Sequence, residues 1–163
     1  MLLISSDTNI WLDFSVISRL SLPFRLPYKY IMYKGAMRTE IIDPPSLLSE
    51  LEKLGLDGVE LTTEEFFYAD GLYKKYRHLS KFDRTALAIA KLRGIPLLTG
   101  DGALRRAAET EEVSVLGTIG ILDRLLTGHL ITSDEYRYCL ERLLSHAERR
   151  LPQEELRRRL EIL

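Results

Sequence analysis

The stretch Ser80-Lys81-Phe82-Asp83-Arg84-Thr85-Ala86-Leu87-Ala88-Ile89-Ala90-Lys91-Leu92-Arg93-Gly94-Ile95-Pro96-Leu97-Leu98-Thr99-Gly100-Asp101 decides the fold. Ser80 and Asp83 stand at the spacing of a capping box, in which each side chain accepts the other residue's backbone N–H. Asp83 to Arg93 then reads as a helix, and Ala86 to Ala90 holds no polar position, so most of that helix's circumference has to be buried. Gly94 stops it. Ile95 to Leu98 reads as a strand, followed by a turn at Gly100 to Gly102 and a short helix from Ala103 to Glu109. Another strand is expected at Val113 to Leu116. Helices alternating with short apolar strands imply a parallel sheet with right-handed crossovers and helices on both faces.

The same alternation holds toward the N-terminus. Met1 to Ser6 reads as a buried strand ending at Asp7, and Ile10, Phe14 and Ile17 recur at helical spacing from Asn9 to Leu20, with Pro23 and Pro27 closing the segment. Tyr28 to Tyr33 is the second strand, and Gly35 opens a helix carrying Glu40. Pro44 and Pro45 break that helix, and Ser46 is the expected N-cap of the next one, which runs to Leu54 before Gly55. Val59 to Leu61 is the expected third strand, and Thr62 with Glu65 makes another capping box ahead of a helix through Phe66, Phe67 and Leu72. Beyond Gly117 the pattern is wholly helical: Ile119 to Leu126, then Ser133 to Arg150 with Tyr136, Leu140, Leu143 and Ala147 as its apolar stripe, then a last helix begun by Pro152. The expectation is an α/β fold of three layers, with residues 1–117 as the catalytic unit and residues 118–163 as a helical extension packed on the same domain. That extension, its charges balanced, reads as packing and not chemistry.

The 163 residues are 45% hydrophobic and 29% charged, the balance of a globular chain with one core. No run approaches the roughly 18 apolar residues of a membrane helix. The N-terminus lacks the basic lead of a secretory signal, so a cytoplasmic location is expected. The single cysteine, Cys139, has no partner for a disulfide or a metal. The net charge of −1 conceals an uneven distribution: residues 40–70 hold nine acids against Lys53, whereas residues 74–106 hold nine bases against Asp83 and Asp101. Charge alone favours a solvated surface over a nucleic-acid site.

Four acids carry the candidate chemistry. In an open parallel sheet, ligands bind outside the carboxyl ends of the strands. Asp7 follows the first strand directly, Asp101 follows the Ile95–Leu98 strand, and Glu40 lies in the helix after the second strand. Asp83 shares a helix face with Leu87 and Ala90. Each also has a structural use: Asp7 and Asp101 as N-caps, Asp83 in its capping box, Glu40 on a helix surface. Their convergence would be repulsive unless a divalent cation or a base neutralised them. Hard oxygen ligands of this kind suit Mg²⁺ or Mn²⁺.

Asp7-Thr8-Asn9-Ile10 after an N-terminal strand resembles the opening Asp-x-Asn motif of PIN domains, and Leu98-Thr99-Gly100-Asp101 resembles their Thr-x-Asp motif. Asp83 to Ala90 is similar to the family's helix with a leading Asp and a small-residue face, and Glu40 stands where the second acid is expected, with Asp43 as a competitor. The resemblance covers roughly residues 1–116 and is most specific from Leu79 to Thr118, which includes Leu116-Gly117-Thr118. The C-terminal helices resemble those of a PIN subgroup found near small DNA-binding or antitoxin-like proteins. One departure is Ala103, where many PIN nucleases carry a further acid or Asn.

The resemblance implies a ribonuclease that cleaves single-stranded RNA with Mg²⁺ or Mn²⁺ held by Asp7, Asp83 and Asp101, and by Glu40 directly or through water. Asn9 and Thr99 would orient the carboxylates. Lys81, Arg84, Arg105 and Arg106 would hold the RNA backbone. It further implies a homodimer and a toxin restrained by an antitoxin peptide; RNA processing, or an idle fold that only binds RNA or protein, are the alternatives. A phosphatase of another α/β fold would need Asp-x-Asp after the first strand, and residue 9 is Asn.

Overall fold

The computed structural model describes residues 1–163. In chain order the elements are β1 (Leu2–Ser6), α1 (Thr8–Val16), β2 (Tyr28–Tyr33), α2 (Lys34–Glu40), α3 (Leu47–Leu54), β3 (Asp57–Val59), α4 (Thr63–Lys75), α5 (Lys81–Arg93), β4 (Leu97–Leu98), α6 (Gly102–Thr110), β5 (Val115–Leu116), α7 (Thr118–Thr127), α8 (Ser133–Ser145) and α9 (Gln153–Glu161). Single 3-10 turns lie at Leu22–Arg25 and Ala147–Arg149. The strands form one parallel sheet in the order β3-β2-β1-β4-β5. This is the three-layer α/β/α architecture.

The order reverses at β1, which pairs with β2 on one side and with β4 on the other, Ser5 opposite Leu97 and Ser6 opposite Leu98. Connections leaving the sheet on either side of β1 therefore turn to opposite faces, opening a crevice at the carboxyl ends of β1 and β4. One face buries a large apolar cluster contributed by α1, α2, α3, α7, α8 and α9 around Trp11, Phe14 and Tyr30. Trp11 stacks on Phe24 and meets Tyr30 edge-on, both at 5.2 Å between ring centroids, pairs worth about 0.5–1.5 kcal/mol each beyond their area. The other face buries a smaller cluster of α4, α5 and α6 centred on Leu87 and Leu104.

Helix α5 is built as its sequence requires. Ser80 and Asp83 form the capping box, Gly94 ends the helix in the left-handed region at φ 65°, and Ala86 to Ala90 are all buried. Its small residues let the backbone approach β1, so that the Ser5 hydroxyl donates to the Ala86 carbonyl at 2.9 Å. The Thr62–Glu65 capping box of α4 is also formed.

Several boundaries differ from expectation, each for a local reason. Helix α1 ends at Val16 instead of Leu20, because Ser18 turns the chain at φ 57°. Ser46 is not a side-chain cap: its backbone is already helical at φ −84° and ψ −9°, and its hydroxyl donates to Glu50. Strand β3 lies at Asp57–Val59 instead of Val59–Leu61, set by pairing Ile31 opposite Asp57 on the sheet edge. Gly58 permits this, since a Cβ there would lie 2.8 Å from Lys34 Cγ. Helix α8 stops at Ser145, and Ala147 is exposed rather than part of the stripe. No helix is long and apolar enough to cross a membrane.

Candidate active site

Asp7 leaves the carboxyl end of the central strand with its side chain buried, 4% exposed. One carboxylate oxygen caps α1, accepting from the Thr8 N–H at 2.8 Å. The other accepts from the Thr99 hydroxyl at 3.0 Å and the Asn9 amide at 3.3 Å. Thr99 in turn accepts from the Asp101 N–H at 3.0 Å, so a single hydroxyl ties the end of β1 to the loop after β4. Asp101 caps α6 through one oxygen, which accepts from the Ala103 N–H at 2.9 Å; its other oxygen stays free.

Glu40, at the end of α2, accepts from the Thr8 hydroxyl at 2.6 Å, which brings it beside Asp7. The competing Asp43 is exposed and outside this network. Asp83 accepts from the Ser80 N–H at 3.0 Å, as its capping box requires. Capping does not exclude proximity: Asp7, Asp83 and Asp101 each cap a helix, yet the charges of Asp83 and Glu40 act on Asp7 and that of Asp101 acts on Asp83.

Burial is the main reason the Asp7 carboxyl is pushed up to about 7, followed by the neighbouring charge of Asp83; the Thr99 bond opposes the rise, and Glu40 adds to it. Asp83 is raised by its own burial, against its Ser80 bonds, with a further push from Asp101. None of the four acids forms an ion pair, although Asp13, Glu65, Glu111 and Asp123 elsewhere in the chain all do. As the side chains stand, no three of them converge to metal-ligating contact. The fit to a hard divalent cation therefore rests on donor chemistry: carboxylate oxygens only, none of them in an ion pair, with ionisation disfavoured at Asp7 and Asp83.

The bases divide. Lys81 on α5 and Arg105 and Arg106 on α6 are exposed and free of ion pairs. Arg84 instead braces the fold, its guanidinium donating to the Ala69 carbonyl at 3.1 Å and lying over the Tyr73 ring, so that it joins α5 to α4.

The residues missed by the sequence come from the C-terminal segment. Arg149 donates to Asp13 at 2.7 Å and reaches the Asn9 carbonyl at 3.2 Å. Asp13, 1% exposed, also accepts from the Thr118 hydroxyl at 2.7 Å. Burial raises the Asp13 carboxyl, and the bonds from Thr118 and Arg149 counter it. Glu148, Arg149 and Arg150 thus wall the crevice opposite Asn9, Gly100, Asp101 and Gly102. The extension therefore borders the loop that carries Asp101 as well as packing on the core. A lone carboxylate inside the apolar run Ile10 to Ile17 was the one signal, because a buried acid needs a distant base.

The parallel sheet carries the Asp-x-Asn after β1 and the Thr-x-Asp after β4 at its switch point, with Glu40 and Asp83 near enough for their charge to act on Asp7. A PIN-domain family model matches residues 4–163, and the chain belongs to the PIN-domain family, whose members are generally nucleases. Comparison with curated proteins and with solved structures gave no match. The match runs through α8 and α9, well past the residues that carry the motifs.

Proposed function

We propose that the chain is an endoribonuclease dependent on Mg²⁺ or Mn²⁺ that hydrolyses single-stranded RNA. The observation that carries this reading is the set of four carboxylates at one sheet edge, none with an ion-pair partner. Asp7, Asp83 and Asp101 would hold the cation, with Glu40 as a direct or water-mediated ligand. A cation held there would lower the pKa of a water molecule and offset charge on the scissile phosphate. Asn9 and Thr99 fix the orientation of the buried Asp7 oxygen, and Thr8 holds Glu40 against it. Arg149 fixes Asn9 from the other side. Lys81, Arg105 and Arg106 supply phosphate contacts, whereas Arg84 supports the fold.

The biological reading is a cytoplasmic toxin restrained by an antitoxin peptide, with RNA processing as the alternative role for the same chemistry. We also propose a homodimer. The apolar residues of α1 and α8 are consumed inside the monomer, and the surplus available to a second copy lies instead on α4, where Phe66 and Phe67 are 54% and 66% exposed. The test is incubation of the protein with single-stranded RNA in Mn²⁺, in EDTA, and as Asp7→Asn. Cleavage in Mn²⁺ alone, by the unsubstituted protein alone, supports the reading. Products ending in 2′,3′-cyclic phosphate would refute it, because they identify the RNA's own hydroxyl, not water, as the nucleophile.

A further inference from the structure

Beside the crevice at Asp101 lies a second cavity of about 580 Å³, sharing Gly100, Gly102 and Arg150 with it and bounded by Arg105, Gly117, Arg159 and one acid, Glu155. Its volume suits one nucleotide-sized ligand. Glu155 is taken up by Arg158 and Arg159, the latter also paired with Asp123, whereas Arg105 and Arg150 form no ion pair, so two guanidinium groups in the cavity lack a carboxylate partner.

The local backbone shapes the surroundings of both arginines. Arg105 lies across Gly117, where a Cβ would come within 2.5 Å of its Nη2; the glycine makes room for the guanidinium. Arg150 adopts the left-handed conformation at φ 55°, between Arg149, anchored on Asp13, and the buried Leu151. Behind them, Gly117 begins the ten-residue helix α7 without a side-chain cap. The N–H groups of Thr118, Ile119 and Gly120 have no intrahelical acceptor, and these residues line the cavity. Leu116, Ile119 and Leu151 supply an apolar wall. Two guanidinium groups and free N–H groups suit a phosphate; the apolar wall suits the attached sugar and base.

We infer that this cavity is a nucleotide subsite, which binds a phosphate and nucleoside of the RNA strand neighbouring the nucleotide whose phosphodiester lies at the four acids. The inference rests on the nuclease reading for its role, but the site stands on its own lining. Acidic and basic sites share one wall through Gly100 and Gly102, so a strand crossing Asp101 enters both. The C-terminal segment then selects substrate, contributing Arg150 to a grip that the catalytic carboxylates cannot provide.

The test is an amide NMR titration of the full chain with AMP, with inorganic phosphate and with adenosine, in EDTA. AMP is expected to shift the Gly117, Thr118, Ile119 and Gly120 amides saturably and to bind more tightly than phosphate or adenosine. Arg105→Ala, Arg150→Ala and Gly117→Ala, which displaces only the flexible end of Arg105, should each abolish or weaken the AMP shifts while leaving the melting profile unchanged. Absence of a saturable shift at these amides up to the solubility of AMP overturns the inference, as do shifts that survive all three substitutions. Equal binding of phosphate and AMP overturns the nucleoside part, and saturable shifts produced by an acidic peptide but not by AMP would assign the cavity to a protein partner instead. AMP binding in a protein that cleaves no RNA would refute the nuclease reading and leave the subsite standing; cleavage without AMP binding would do the reverse.

Discussion

Replacing Asp7 with asparagine should stabilise the metal-free protein, and the gain should depend on pH. The Asp7 carboxyl rises from its usual 3.8 to about 7 in the folded chain, a difference worth about 4 kcal/mol at about 1.4 kcal/mol per pH unit. A raised carboxyl pKa means that the native state binds its proton more tightly than the unfolded state does. Stability is therefore fully present below 3.8 and is lost as pH rises through about 7. The substitution removes that loss at nearly constant volume but weakens the bonds now made with Thr99 and Asn9, at about 2 kcal/mol together. The net gain in EDTA should be about 2 kcal/mol at pH 8, close to zero at pH 5, and visible as a rise of about 4–8 °C in Tm at the higher pH. Saturating Mn²⁺ should reverse the order, since ligand at 100-fold its Kd stabilises the native protein by about 2.7 kcal/mol. The assay is thermal unfolding of both proteins at the two pH values, with and without Mn²⁺. Equal gains at pH 5 and pH 8, or a variant less stable than the unsubstituted chain at pH 8 in EDTA, would refute the claim that a strained, uncompensated carboxylate sits at the centre of the site.

Arg149→Ala leaves Asp13 buried with only Thr118, so stability measured by urea unfolding should fall by about 3 kcal/mol, and Asp13→Asn in the same chain should recover part of the loss. Lys81→Ala, Arg105→Ala and Arg106→Ala should each lower the salt slope of log K for an uncleavable single-stranded RNA by about 0.7, measured by fluorescence anisotropy. Arg84→Ala should leave that slope unchanged and lower the melting temperature instead, because its contacts are Ala69 and Tyr73. Gly94→Ala should destabilise by about 1 kcal/mol in the same melts: the space is open, but φ 65° strains any residue with a Cβ.

Local chemistry made much of this legible in the sequence. The capping boxes at Thr62 and Ser80, the glycine after Arg93 and the apolar face of α5 act within a few residues of themselves, and the structure realises each one. The placement of Asp7 directly after β1, and of Asp101 just beyond Thr99 and Gly100 after β4, was legible because residues that follow a parallel strand lie at the sheet's carboxyl edge. The strands β4 and β5 were harder to bound: only two residues of each join the ladder, and apolar runs extend past the paired positions. On the sheet edge, β3 is fixed by register with β2, which its own composition does not encode. The Asp13–Arg149 pair joins residues far apart in the chain, and periodicity carries no information at that range. For the converse reason the place of Arg84 was not legible: adjacency to Asp83 in sequence says nothing of direction, and its side chain leaves the helix toward α4.

The central claim is that the crevice binds a divalent cation through Asp7 and its neighbouring acids, and calorimetric titration of Mn²⁺ into the metal-free protein tests it most directly. The unsubstituted chain and Lys81→Ala should bind alike, while Asp7→Asn and Asp101→Asn should each weaken binding by at least the roughly 10–100-fold that loss of a ligand's supporting partner causes. Binding of equal strength in all four proteins, or none in the unsubstituted chain, would contradict the account.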